Sequence, residues 1–247
     1  MTTAKSASAI QVELPGARVA FSTRVGGASA APYDSLNLGI LTDDEPAFVR
    51  ENRERLASSL GLGGATIAMG RQVHGVELAT WAEPPDPQPA GPREAVREMV
   101  EVDGHVTDLE GLGLLVLAAD CLPVALAAPG RVAMLHAGWR GVAGGILARG
   151  VEAFDQPPAA VIGPGIGRCC FEVGPEVVAA FADVPAATEG RMLDLRLVAE
   201  ARLLAAGAAS VAHVDLCTSC RDDLFFSHRR DGGVTGRQGG LVWRTLH

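Results

Sequence analysis

Two residue types that bind metals, a cysteine and a histidine, lie in one predicted β-hairpin of this sequence. Residues 122–128 and 131–136 are apolar runs too short for helices, and the Pro-Gly pair between them predicts a turn. If the turn is tight, Cys121 faces Gly138 and lies one diagonal step, roughly 7 Å, from His136. A metal ion shared by the thiol and the imidazole would fit that gap. A buried cysteine and a strand-end histidine fit the same pattern, so the hairpin alone leaves both interpretations open.

Two further histidines stand beside predicted turns. His74 precedes Gly75 where a short strand ends, so it is a possible ligand, although a lone histidine is often only hydrogen bonded. His105 lies in the predicted turn 103–107 and is a second possible ligand, although we expect a solvent-facing side chain there. Asp120 precedes Cys121 at the end of a predicted buried strand, 112–119.

Composition limits the classes of protein to which the chain can belong. Its 247 residues are 48% hydrophobic and 20% charged, which is typical of a globular protein with a large core. The net charge of -8 argues against non-specific binding to nucleic acid or anionic lipid. Apolar runs are too short to span a membrane and no signal-peptide pattern is visible, so we expect a cytoplasmic protein.

The hydrophobic pattern predicts alternating short strands and helices. Residues 1–9 are expected to form a flexible tail, 10–247 a single domain, and 83–94 a proline-rich loop within it. Besides the hairpin, we predict strands at 19–22, 66–69, 76–81, 112–119, 159–162 and 211–214. Helices are predicted from an N-cap at Asp44 to residue 60, and at 142–154, 175–181 and 196–206, the last capped by Asp194.

Five cysteines without an export signal indicate reduced thiols or metal ligands. Cys169 and Cys170 are neighbours that cannot easily serve one metal, so we expect buried small side chains. Cys217 and Cys220 form a CxxC pair, which without a partner pair is weak evidence for zinc or redox chemistry.

Arginines and amides in the loops provide candidate anion ligands. Arg24 and Asn37 lie in a long predicted loop, and Asn37 fits a structural role equally well. Arg229 and Arg230 follow Ser-His near a predicted turn, where an oxyanion site and a solvated loop are both compatible with the sequence. The glycine-rich turn 163–167 lacks the spacing of a nucleotide-binding loop.

Ten motifs in this order resemble the YfiH/YlmD family across nearly the whole chain. They are FSTRVGG, PYDSLNLG, ENRERL, RQVHG, VDGHVT, ADCLPV, LHAGWRG, IGPGIGRCCFEVG, CTSC and FFSHRRDGGVTGRQ. That family is also labelled laccase-domain polyphenol oxidase, purine nucleoside phosphorylase and peptidoglycan editing factor. The resemblance implies a single α+β domain with mixed sheets flanked by helices, similar to the catalytic domain of cytotoxic necrotizing factor.

The resemblance also implies a catalytic zinc site formed by His74, Cys121 and His136. Three protein ligands leave a fourth position for water, which zinc would acidify into a nucleophile. Zinc deaminases of nucleobases use similar ligands and a nearby carboxylate that transfers protons. Asp120 and Glu172 are the candidate carboxylates, and the sequence does not choose between them.

The implied activity is phosphorolysis of adenosine, inosine, guanosine and methylthioadenosine to base and pentose 1-phosphate, with deamination of adenosine. Small-molecule nucleosides and phosphate are thus the expected partners, and a monomer is favoured although the sequence does not define the oligomeric state. Phosphorolysis needs a bound phosphate dianion. Its candidate ligands are Arg24, Arg140, Arg229 and Arg230, and the candidates for hydrogen bonds to sugar or base are Asn37 and Gln72.

Three rival functions use the same residues. A multicopper laccase needs more histidines than the six present, so copper is the less favoured metal. A zinc amidase that hydrolyses a wrongly built UDP-muramoyl-serine precursor would use the same metal and cations. A zinc-stabilised binding protein would need a fourth protein ligand, for which Cys170 and His228 are the candidates.

Overall fold

The computed structural model describes residues 8–62, 67–85 and 99–245. Strands in these residues are β1 (Ala9–Leu14), β2 (Ala17–Ser22), β3 (Ile67–Ala68), β4 (Leu78–Trp81), β5 (Gly104–Thr107), β6 (Gly113–Ala118), β7 (Leu122–Ala128), β8 (Arg131–Ala137), β9 (Ala159–Ile162), β10 (Thr188–Glu189), β11 (Met192–Leu193), β12 (Ser210–His213) and β13 (Gln238–Arg244). The α-helices are α1 (Pro46–Ser59), α2 (Trp139–Gly144), α3 (Ile146–Glu152), α4 (Pro175–Ala180) and α5 (Leu195–Ala205).

Most of the strands form two mixed sheets. The first has the order β1-β2-β13-β6-β3, with only the β3–β6 pair parallel. The second has the order β12-β9-β7-β8-β5-β4, with parallel pairs at its two edges. The fold class, a single α+β domain with mixed sheets flanked by helices, is confirmed.

The sheets stack face to face and each carries helices on its outer side. Apolar side chains between the sheets come from both, for example Phe21 and Val242 from the first and Ala125 and Met134 from the second. Helix α1 covers the outer face of the first sheet, while α2, α3 and α5 cover that of the second. The hairpin strands β7 and β8 are therefore buried on both faces, which explains their continuous apolar runs.

Helix boundaries follow the sequence signals with two exceptions. The Asp194 carboxylate accepts a hydrogen bond from the Leu197 amide at 3.2 Å, so the predicted cap of α5 is confirmed. The predicted Asp44 cap is wrong, because Glu45 is the N-cap of α1 and the Asp44 carboxylate accepts hydrogen bonds from loop side chains. Gly145, with φ of 96°, divides the predicted helix 142–154 into α2 and α3.

Five strands, β1, β5, β10, β11 and β13, differ from expectation. Ala9 begins β1 within the expected tail 1–9, whose residues 1–7 lie outside the described residues. The expected turn 103–107 contains strand β5, and residues 238–244 form β13, for which no strand was predicted. Most of the proline-rich loop 83–94 also lies outside the described residues. No helix in the described ranges is long and apolar enough to cross a membrane.

Candidate metal centre

Three potential metal ligands converge where the hairpin meets the loop after β3. The donor atoms of His74, Cys121 and His136 all lie within 4.8 Å of one another. The Cys121 Sγ is 3.8 Å from the His74 Nε2, and the two imidazole rings meet edge to face with centroids 4.8 Å apart. This His-Cys-His group could hold a metal ion, since a thiolate and imidazoles are ligands of zinc and copper.

The hairpin register creates the space for this group. Leu122 pairs with Ala137 and Pro123 with His136, so the predicted register is confirmed and Cys121 lies in line with Gly138. A Cβ atom on Gly138 would be 3.0 Å from both the Cys121 Sγ and the His74 Cδ2. The residue opposite the cysteine must therefore be small.

Asp103 fixes the position of His74 through the backbone. Its buried carboxylate accepts hydrogen bonds from the amides of Val73, His74 and Gly75, at 3.0, 3.0 and 2.7 Å. His74 has a φ of 60°, in the left-handed region that non-glycine residues seldom occupy. These three bonds stabilise the backbone that directs the imidazole towards Cys121.

The same carboxylate orients His136. The Asp103 Oδ1 lies 2.7 Å from the His136 Nδ1, which leaves Nε2 for a metal. Burial lowers the pKa of His136, but the Cys121 thiolate and the hydrogen bond to Asp103 raise it more, to about 9. Burial conversely raises the pKa of Cys121, but His136 and His74 lower it to about 6. The two imidazoles therefore favour the thiolate form of Cys121, which is the form that binds metals.

A cavity of about 560 Å³ opens above the three ligands. Of the predicted substrate ligands, Gln72, Arg140 and Arg229 line it. Arg140 is exposed and its guanidinium lies 4.3 Å from the centre of the Trp139 ring. Arg229 lies over Phe171 and donates to the Glu172 carbonyl at 2.7 Å.

The Gln72 amide is engaged by the protein. Its Nε2 donates to the Leu117 carbonyl and its Oε1 accepts from the Leu117 amide, both at 2.7 Å. The side chain therefore acts as an extra bridge to β6. Because Gln72 also lines the cavity, its hydrogen bond to sugar or base stays a prediction.

Arg24 and Arg230 do not line the cavity. The Arg24 side chain donates to the Asp34 carbonyl and pairs with the Asp34 carboxylate at 3.1 Å. Arg230 donates to the Thr218 and Phe225 carbonyls, at 2.9 and 3.0 Å, and pairs with Asp231. Both guanidinium groups hold loops, so the structure does not bring them to the cavity, and their place in a phosphate clamp stays an untested prediction.

Asn37 is fully buried and also lies outside the cavity lining. Its Oδ1 accepts hydrogen bonds from the amides of Gly39 and Arg237, at 2.9 and 2.8 Å, and its Nδ2 donates to Thr42 and Asp44. The structural alternative stated for Asn37 is the one that the geometry supports.

Sequence reasoning missed two arginines in the cavity wall, Arg53 and Arg71, whereas a third, Arg237, belongs with Arg229 to the cationic group near the predicted turn. Arg53 donates to the Leu38 carbonyl, and burial lowers its pKa to about 10. Burial also lowers the pKa of Arg237. Arg53 and Arg71 belong to the motifs ENRERL and RQVHG, but neither helical spacing nor strand pattern distinguishes a cavity-facing arginine from a surface one.

The two candidate proton-transfer carboxylates both have protein partners, although Asp120 lines the cavity. Asp120, at φ of 95°, accepts hydrogen bonds from the Thr218 hydroxyl at 2.6 Å and the Arg229 amide at 2.7 Å. Glu172 pairs with Arg191 at 3.1 Å and does not line the cavity. His228 does line it, although it is not part of the three-ligand group.

His105 is buried, which corrects the expected solvent-facing side chain. Its Nδ1 accepts a hydrogen bond from the Trp81 Nε1 at 3.2 Å. Burial lowers its pKa to about 4, although the charge of Asp103 opposes this, so it is neutral at pH 7.

Four further cysteines form a second group of potential ligands. Cys169, Cys170, Cys217 and Cys220 have sulfur atoms within 4.8 Å of one another. The expectation that Cys169 and Cys170 are buried small side chains is wrong, because Cys169 is exposed and Cys170 is half-buried. Two turns that are distant in sequence bring the thiols together.

Comparison with known proteins gives one consistent family. A family model described as multi-copper polyphenol oxidoreductase laccase matches residues 18–245. Purine nucleoside phosphorylase YfiH of Escherichia coli (strain K12) is 35% identical over 241 residues, which cover 92% of this chain and 94% of the relative. Purine nucleoside phosphorylase YlmD of Geobacillus stearothermophilus is 36% identical over 251 residues, covering 93% and 90%.

Solved structures agree with this assignment. The crystal structure of Geobacillus stearothermophilus YlmD has a TM-score of 0.84 at 35% identity, covering 94% of this chain and 93% of that one. The crystal structure of a Neisseria meningitidis protein has a TM-score of 0.85 at 34% identity, covering 97% and 100%. Sequence motifs, fold and relatives therefore show that this chain belongs to the YfiH/YlmD family.

Proposed function

We propose that this chain is a zinc-dependent purine nucleoside phosphorylase that also deaminates adenosine. Its substrates would be adenosine, inosine, guanosine and methylthioadenosine, cleaved by phosphate to the base and a pentose 1-phosphate. The observation that carries the proposal is the position of the His-Cys-His group at a cavity whose wall contains arginines. The names of the relatives, purine nucleoside phosphorylases similar over most of the chain, support it.

The cavity has the size and lining that a nucleoside and a phosphate need. Its volume of about 560 Å³ lies in the range of small-molecule sites. Arginine side chains concentrate positive charge there although the whole chain carries -8. A phosphate dianion would be attracted to this wall, whereas the apolar part of the lining suits a purine.

Donor chemistry favours zinc over a multicopper centre. His74, Cys121 and His136 would hold a zinc ion, which supplies Lewis acidity for a bound oxygen. Among the described residues, the other group of three or more potential ligands consists of cysteines alone. A trinuclear copper cluster needs many imidazoles, and these two groups do not provide them.

The residues of the chain then have distinct tasks. Asp103 orients His136 and the backbone at His74, while Arg140 and Arg229 bind phosphate on the cavity wall. A phosphate oxygen attacks the anomeric carbon, and the glycosidic bond between that carbon and the purine nitrogen breaks. The leaving base needs a proton, and we assign its transfer to His228, since Asp120 and Glu172 are held by other groups.

A nucleoside screen tests the proposal. Zinc-loaded protein is incubated with each nucleoside, with and without phosphate, and the free base, pentose 1-phosphate and inosine are measured. We expect phosphate-dependent release of adenine from adenosine, and inosine formation without phosphate. Both should disappear in the Cys121→Ala variant.

Two additional arms separate the rival functions. Oxygen uptake with a phenol and the copper-loaded protein tests oxidase activity, and hydrolysis of a UDP-muramoyl-serine precursor tests amidase activity. Turnover in either arm without any nucleoside turnover would refute the phosphorylase proposal.

A further inference from the structure

We propose that Cys169, Cys170, Cys217 and Cys220 bind a second zinc ion, which serves a structural role. All four sulfur atoms lie within 4.8 Å of one another, and the Cys220 Sγ is 3.4 Å from the sulfurs of both Cys169 and Cys170. In a tetrahedral site with Zn–S bonds of about 2.3 Å, the sulfurs would be about 3.8 Å apart. The observed arrangement therefore needs only small shifts to hold the ion.

The topology of the second sheet explains why the thiols meet. Strands β9 and β12 are parallel neighbours, so the loops that follow them leave from the same edge. A bridge between Gly165 and Cys217 extends this pairing, and the Thr218 amide donates to the Gly165 carbonyl at 3.0 Å. The adjacent cysteines after β9 thus face the CxxC after β12, which supplies the partner pair that the sequence seemed to lack.

Donors around the group suit thiolates. The Gly167 amide donates to the Cys217 Sγ at 3.2 Å, a bond of the kind that stabilises a metal-bound sulfur. The Arg196 side chain is buried and pairs with Asp215, and a Cβ on Gly167 would lie 2.6 Å from its Nη2, so this ion pair lies against the same turn. Binding zinc would release the four thiol protons to solvent and leave a net charge of about -2 on the site.

A disulfide explains the geometry less well. The closest sulfur contacts, at 3.4 Å, are far longer than an S–S bond of about 2.05 Å. A disulfide would also use two sulfurs, whereas four converge here. Four thiolates and no open position are the arrangement of a closed, structural zinc site.

Hydrogen bonds link this cluster to the cavity wall. Thr218, inside the CxxC, donates through its hydroxyl to the Asp120 carboxylate at 2.6 Å. Asp120 also accepts from the Arg229 amide at 2.7 Å and precedes the ligand Cys121. A zinc ion in the cysteine cluster would therefore hold the loop that positions Arg229.

Metal content tests the inference directly. The full-length protein, purified from zinc-supplemented cells and dialysed, should contain about two equivalents of zinc by elemental analysis if both groups are occupied. Cys217→Ser combined with Cys220→Ser should lose one equivalent, and Cys121→Ala should lose the other. Ser219→Ala, in the same turn, keeps all four thiols and should keep both.

A second measurement leaves all four cysteines of the cluster in place. In the Cys121→Ala protein, the exposed Cys169 and Cys220 should resist alkylation until a chelator is added, and Co²⁺ exchange should give the absorption of a tetrahedral thiolate site. Zinc-free Cys121→Ala protein that binds no Co²⁺ would overturn the inference. A protein mass lower by two hydrogens, with no bound metal, would show that two of the cysteines form a disulfide, and this result would also overturn the zinc inference.

Discussion

Asp103 is the residue on which the geometry of the metal group most depends. It contacts three consecutive amides around His74 and the Nδ1 of His136, yet it is not itself a ligand. Both imidazoles are therefore oriented by one carboxylate. This makes Asp103 a positioning residue, whose loss should change metal affinity before it changes the fold.

We expect Asp103→Asn to lower zinc affinity by about 10- to 100-fold, the usual effect of removing a carboxylate partner of a ligating histidine. The asparagine amide retains the shape of the carboxylate, but its N–H groups would face the backbone N–H donors of residues 73–75. Competition titration with a chromogenic chelator measures the change. Asp108→Asn, which removes a surface ion pair with Arg131, should leave the affinity unchanged. Equal affinities in the two variants would contradict the positioning role.

Arg140 is the phosphate ligand that can be tested most directly. Its guanidinium stacks on Trp139 and is exposed to the cavity. Arg140→Met should raise the KM for phosphate about tenfold or more, because a charge-assisted hydrogen bond contributes about 1.5–3 kcal/mol. The KM for nucleoside should change much less.

Initial rates at varied phosphate and fixed nucleoside, then the reverse, separate the two KM values. Arg149→Met is the matched control, since Arg149 pairs with Glu77 and does not line the cavity. An unchanged phosphate KM in Arg140→Met would remove this residue from the clamp.

Side-chain chemistry alone did not decide which polar residues face the cavity. Of the residues that the sequence proposed as substrate ligands, Arg140, Arg229 and Gln72 line the cavity, but Asn37 and Gln72 also bond backbone groups. A carboxamide suits a sugar hydroxyl and a peptide group equally well, so its type carries no information about its partner. Only the fold shows which partner is within reach.

At the scale of elements, Gly138 joins β8 to α2 and lies against the metal group. Its φ of -75° is accessible to any residue, so Gly138→Ala adds no backbone strain. The new Cβ would instead press on the Cys121 Sγ and the His74 Cδ2 at 3.0 Å. We expect zinc affinity at this site to fall severalfold while the zinc of the cysteine cluster stays bound.

Isothermal titration of metal-free protein, which resolves the two sites by their affinities, measures this effect. Gly113→Ala is the control, because a Cβ there makes only ordinary contacts of 3.4 Å or more. A uniform loss of zinc from both sites would show that the substitution acts through global stability and not through the contact.

The hairpin and β13 show why some strands were predictable and others were not. The register of β7 and β8 followed from a tight turn between two apolar runs. Strand β13 begins QGG, and its glycines weaken the strand signal. A Cβ on Gly240 would lie 2.5 Å from the Pro123 Cβ in the other sheet, so the close packing of the sheets requires glycine here. The same glycine weakens the sequence pattern from which a strand is predicted.

At the scale of the whole molecule, the last strand completes the first sheet. Strand β13 lies between β2 and β6, and the chain reaches it from β12 at the edge of the other sheet. The connecting residues, 214–237, carry the CxxC, the cavity residues His228 and Arg229, and Asp231. Sequence patterns describe local periodicity. They could not show that this one connection links the two sheets and carries residues of both the cysteine cluster and the cavity beside the His-Cys-His group.

Asp231 holds this connection and makes the stability of the molecule depend on pH. Its carboxylate pairs with Arg230 at 2.7 Å and accepts from the Thr235 hydroxyl at 2.9 Å. Burial raises its pKa, but the hydrogen bonds from Arg230 and Thr235 outweigh burial and lower the pKa below the usual value. The charged form therefore stabilises the folded state above about pH 4, the pKa of an unfolded aspartate, and this contribution is lost as the pH falls through the lower folded pKa.

Asp231→Asn should consequently reduce the free energy of unfolding at pH 7 by about 1–3 kcal/mol, the effect of removing a charged hydrogen-bond partner. The difference from the unsubstituted protein should shrink as the pH falls below about 4, because both proteins then lack the charge. Urea unfolding of metal-free protein in chelator isolates this effect from protonation of the metal ligands. Asp222→Asn, at an exposed carboxylate of the same connection, is the control, and its free energy of unfolding should equal that of the unsubstituted protein at every pH. A difference for Asp231→Asn that persists at low pH would show that the amide disturbs packing and that the loss of charge is not the cause.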